Sequence, residues 1–137
     1  MLSLSFICYG ATALLSLTFG IIYLTRRQFM PYHSLALGKP WSSVEANTQT
    51  LILALMRVAG GGFLSSGIAI AILLLIPFAA GERWAVYGIF AVSLIMAVAS
   101  GSATLMVSRD TPGNPPLWLS MAAIVLSLLG FGCSLWQ

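Results

Sequence analysis

Of the 137 residues 59% are hydrophobic and 7% charged, with a formal net charge of +3 and a mean hydropathy of +0.98. Soluble domains hold about a quarter of their residues as charges, so this composition excludes a water-soluble fold and indicates an all-α membrane protein. The largest basic cluster, Arg26-Arg27, is too small to track a phosphate backbone, which excludes nucleic acid as a partner.

A helix needs about 20 apolar residues to cross a hydrocarbon layer roughly 30 Å thick. Four runs meet that requirement, over about residues 2–24, 51–79, 84–107 and 117–136, and they predict a single four-helix transmembrane bundle with up-down-up-down topology. The first run has no basic residue ahead of it and the Arg26-Arg27 pair behind it. That arrangement fits an uncleaved span with its N-terminus outside rather than a cleaved signal peptide.

The one long connection, residues 26–50, mixes charges, aromatics and two prolines, and is read as a cytoplasmic loop. Within it Ser42 and Glu45 have capping-box spacing, so a helix is expected to start near Ser43 and run into the second span. Pro77 removes a backbone donor near the far end of that span and predicts a bend there. Gly81-Glu82-Arg83 reads as a short turn, and the stretch SRDTPGNPP, residues 108–116, as a longer one.

Trp41 and Trp118 fall at one predicted membrane face and Trp84 and Trp136 at the other, as an aromatic belt requires. Arg26, Arg27, Lys39, Arg57 and Arg109 share a side, opposed by Arg83 alone, so that side is expected to be cytoplasmic and both termini outside. No internal repeat is found, which argues against an inverted-repeat transporter.

Small residues recur at helical spacing: Gly61 with Ser65 and Gly62 with Ser66 in the second span, Ser93, Ala97, Ser100, Gly101 and Thr104 in the third, and Ser120, Ala123, Ser127, Gly130 and Ser134 in the fourth. Helices in lipid associate by close backbone approach, so these seams predict packing surfaces, with a hydroxyl-lined ligand groove as the alternative. Cys8 and Cys133 are placed at similar depth. Two small buried thiols are the expected reading and a disulfide between the first and fourth spans the alternative.

Chemistry-bearing residues are few. The single His33 excludes bis-histidine haem within one chain, and there is no ligand set for zinc, nucleophile elbow, phosphate loop or carboxylate pair, so neither a catalytic nor a metal site is expected. The polar candidates are Tyr32, His33 and Trp41 in the long connection, Arg57 inside the second span, and Asp110, the one carboxylate expected at the same face. Arg57 is read either as snorkelling to headgroups or as paired with Asp110.

The runs PYHSLALGKPW, LALMRVAGGGFLSSGIA and PFAAGERWA, within residues 26–86, resemble small bacterial membrane proteins distantly similar to the DoxX-like four-helix group. The resemblance implies a bacterial inner-membrane location and transfers no catalytic residues. The expected function is that of a non-catalytic accessory or structural subunit, packed in lipid against itself or other membrane proteins. The rival is a binding protein or enzyme for a lipophilic molecule, a quinone or lipid, at the cytoplasmic face. No cofactor is expected beyond such a bound lipid or quinone.

Overall fold

The computed structural model describes Ser3 to Trp136, so the expected start of the first span at Leu2 lies outside the described residues. All regular structure among them is helical: α1 (Leu4–Thr25), α2 (Pro31–Leu37), α3 (Ala46–Leu73), α4 (Arg83–Asp110) and α5 (Leu117–Ser134). The four longer helices, with α3 counted through to Phe78, have the length and hydropathy to cross a membrane.

Tyr9, Ala13, Ile70, Leu74 and Ile89 form a buried apolar cluster, yet many other large apolar side chains lie on the surface. Leu14, Val58, Ile95 and Met106 are exposed, whereas Ser5, Thr12, Ser16, Ser93, Ser120 and Ser127 are buried. In α1 the buried residues Ser5, Cys8, Tyr9, Thr12, Ala13, Ser16 and Gly20 follow steps of three and four, which places one stripe of mostly small side chains inward.

α1 packs most extensively on α3 and next on α5, and α4 packs on α5 and more sparingly on α3, so the four long helices form a ring in the order α1, α3, α4, α5. A Cβ added to Gly20 would lie 2.7 Å from the Leu64 backbone nitrogen, one on Gly67 would meet Leu17 and one on Gly60 would meet Tyr23 and Leu24. Positions 17, 20 and 24 thus meet 67, 64 and 60, an antiparallel seam closed by glycine on both sides. Gly130 of α5 receives the Tyr9 ring in the same way.

Several expected boundaries move. The connection after α1 contains a helix the sequence reading missed, α2, with Pro31 at its first turn and Gly38 in the left-handed region (φ 63°) as its cap. The Ser42–Glu45 capping box does not form. Residues 41–43 make a 3-10 turn and α3 begins only at Ala46, with Gln49 Nε2 donating to the Trp41 carbonyl at 2.8 Å. Pro77 is absorbed without ending the helix, because residues 74–78 widen into a π turn in which the Ala79 N–H reaches the Leu74 carbonyl at 3.2 Å. α4 runs on through Asp110, so the turn before α5 is shorter than residues 108–116.

Candidate ligand cavity

Where α3 and α4 separate, the bundle encloses a cavity of about 380 Å³. The two helices touch at Leu73 with Gly88 and at Gly62 with Met96. Beyond that second contact the space between them is the cavity, bordered by Ala59 and Phe63 on α3 and by Ala99, Ala103 and Val107 on α4. Ala99 and Ala103 are exposed, so the cavity opens sideways through the wall of the bundle there. It extends along α1 from Thr12 to Tyr23, about 16 Å at about 1.5 Å per residue. Its size falls in the range of about 300–1,000 Å³ typical of small-molecule sites.

α2 forms the lid. Tyr32 and His33 line the cavity, and the Tyr32 hydroxyl is 2.7 Å from that of Tyr23 on α1. The Met30 N–H donates to His33 Nδ1 at 3.2 Å, which fixes the imidazole and leaves Nε2 to carry the proton of the neutral ring. Phe29 is buried beneath the lid, edge-on to Trp41 at 4.8 Å and to His33 at 6.0 Å. From the other side the turn after α4 clamps the lid. Gly113 is buried, and a Cβ there would lie 3.0 Å from both the Tyr32 carbonyl and the Ala36 Cβ.

Burial sets the electrostatics of this lid. It pushes the Tyr32 phenol well above its ordinary value, with the hydrogen bond to Tyr23 acting in the same direction, and it lowers the His33 imidazole below 6.5. Both groups are therefore neutral at pH 7. No Lys, Arg, Asp or Glu contributes to the lining.

The hydroxyls inside the bundle serve mainly their own helices. Thr12 donates to the Cys8 carbonyl, Ser93 to Phe90, Ser100 to Ala97, Thr104 to Ser100 and Ser127 to Ala123, and Ser100 also meets Ser120 at 3.3 Å. Ser16 differs from these: it is 8% exposed, lines the cavity and has no hydrogen-bond partner among the described residues. At the opposite end of α1 Tyr9 Oη is also buried without a partner, beside Ser134, whose own proton goes to the Gly130 carbonyl at 2.7 Å.

Of the sequence-predicted polar site, Tyr32 and His33 come together at the cavity, while Trp41 supports them from behind through Phe29. Arg57 and Asp110 do not join them. Both are exposed and neither forms an ion pair among the described residues. Cys8, buried, and Cys133, half-buried, are both free thiols.

Of the small residues in α4 and α5, Ala97, Gly101, Ser120, Ser127 and Gly130 are buried. In α3 Gly62 lies against Met96 of α4. Ser65 is exposed and a Cβ on Gly61 would meet nothing, because the helix is rotated so that Gly60 and Gly67 bear the contact. Tyr23 and Ser16 were not singled out by sequence reasoning. The signal for Ser16 was available as its place on the small-residue stripe of α1, whereas nothing in the sequence pairs Tyr23 with Tyr32. The chain matches no family model, no curated protein and no solved structure.

Proposed function

We propose that this chain is an integral membrane protein that binds a lipophilic small molecule in the cavity beneath α2. In this reading the four long helices cross the bacterial inner membrane in up-down-up-down order. The basic bias of the sequence puts the lid on the cytoplasmic side and both termini outside. Three of the four tryptophans, Trp84, Trp118 and Trp136, are exposed at helix ends, which supports an interfacial belt. The observation that carries the proposal is the cavity itself, which is predominantly apolar, open towards lipid at Ala99 and Ala103, and polar at Tyr23, Tyr32 and His33.

The accessory-subunit reading of the sequence has no comparable feature in its favour, since exposed leucines and isoleucines are what contact with lipid alone demands. Native mass spectrometry after gentle solubilisation separates the two readings. A stoichiometric lipid-like mass retained on the chain supports binding, and a bare chain or one held only to protein partners contradicts it.

A further inference from the structure

The chemistry of the cavity restricts its occupant further, on the reading that the cavity is a binding site. The Tyr23 and Tyr32 hydroxyls share one hydrogen bond at 2.7 Å, so between them one phenol proton is left over. His33 accepts the Met30 N–H at Nδ1 and so presents Nε2–H. Ser16, 8% exposed and without a partner, holds another unused proton deeper on α1. Three donors therefore await acceptors, two at the lid and one about two helical turns inward.

The remaining lining hydroxyls, such as Ser93, Ser100 and Thr104, have already given their protons to carbonyls of their own helix. They keep only lone pairs, and a buried oxygen with a spare lone pair is tolerated far better than an orphaned donor. The lining also lacks any charge that could compensate a buried ion. Arg26, close enough to act on Tyr32, is exposed and stands outside the lining.

We infer that the cavity takes an uncharged lipophilic molecule whose head carries carbonyl acceptors, with that head at Tyr23, Tyr32 and His33 and its hydrocarbon chain leaving between α3 and α4. Quinone rings and glyceride esters share this chemistry. An anionic head would have to be neutralised at the rim by Arg26 rather than inside.

The test uses the full chain in detergent, stripped of lipid, titrated with a short-chain benzoquinone, a diacylglycerol, a fatty acid and a hydrocarbon of matched length. At least one carbonyl-headed probe should bind about tenfold or more tighter than the hydrocarbon, as expected when several buried donors are satisfied together. Which of the two binds better identifies the source. Ser16→Ala, which removes one donor without adding bulk, and Tyr32→Phe should each weaken the preferred probe about three- to tenfold and leave the hydrocarbon unchanged. Equal binding of carbonyl probe and hydrocarbon, or tighter binding of the fatty acid, overturns the inference while leaving the cavity a lipophilic site. Failure of every probe to bind overturns both.

Discussion

The α1–α3 and α3–α4 contacts are built on the same helix and differ in what faces α3. Against α1, glycines at 20, 60 and 67 let backbone meet side chain at distances no Cβ would allow, and the seam is closed along its length. Against α4, Gly62 meets the Met96 side chain, and beyond that contact the gap bordered by Ala59, Phe63 and Ala103 is the cavity. One helix thus packs by glycine on one face and leaves room for a ligand on the other. Stability should reside in the first contact and function in the second.

The largest effect expected from breaking this division is at the closed seam. Gly20→Val drives a branched side chain into the Leu64 backbone, which cannot yield as a flexible side chain would, and should cost about 3 kcal/mol, the upper part of the range for overpacking. Loss of the monodisperse peak in size-exclusion chromatography, or a large drop in Tm, is the readout. Gly61→Ala is the matched control, because its Cβ enters open space and alanine is the better helix former. It should leave Tm unchanged or raise it.

A smaller effect is expected at the lid. Gly113→Ala places a Cβ 3.0 Å from the Tyr32 carbonyl and the Ala36 Cβ. It should cost about 1 kcal/mol in stability, while proteolysis of the segment holding α2 speeds up more than global unfolding. Equal acceleration of both would mean that the lid is not a separately held element.

His33 adds a pH dependence of fixed sign. The folded imidazole lies below its ordinary 6.5 because of burial, so the unfolded chain takes up a proton as pH falls through about 6.5 before the folded chain does. Stability should be flat above that pH and decline below it, levelling once the folded imidazole is also protonated. His33→Gln should abolish the decline in a melting series from pH 8 to pH 5. An unchanged decline in the variant would assign it to another group.

The least effect is expected at Arg57. It is exposed and unpaired, so Arg57→Leu should change folded yield by less than about twofold, the scale of a surface substitution. Adding Asp110→Asn should neither rescue nor worsen it. A rescue would restore the pairing that the sequence suggested.

Hydropathy alone made the four long helices legible, because a run such as residues 51–79 has no soluble alternative. The rotation of α3 was not legible. Gly60, Gly61 and Gly62 are equivalent by composition, and only the partner surface, with Tyr23 and Leu24 on α1, decides that Gly60 faces inward. α2 was partly legible, since Pro31 at its start and Gly38 beyond its end are helix boundary signals. They were masked by a loop-like composition and a length of only two turns. Tyr32 and His33 were found as isolated polar residues. Their meeting with Tyr23 and Ser16 depends on how α2 folds back over the bundle, which no local spacing encodes.

On this reading the gap between α3 and α4 is a binding site rather than a packing defect. It is tested most directly at Ala103, which lines the cavity yet is exposed at its lateral opening. Ala103→Trp should fill that opening without meeting the closed α1–α3 seam. In native mass spectra of the two purified proteins, wild type should carry one lipid-like mass per chain, and the folded variant should carry little or none. Retention of the same mass at the same stoichiometry by a correctly folded Ala103→Trp protein would contradict the account.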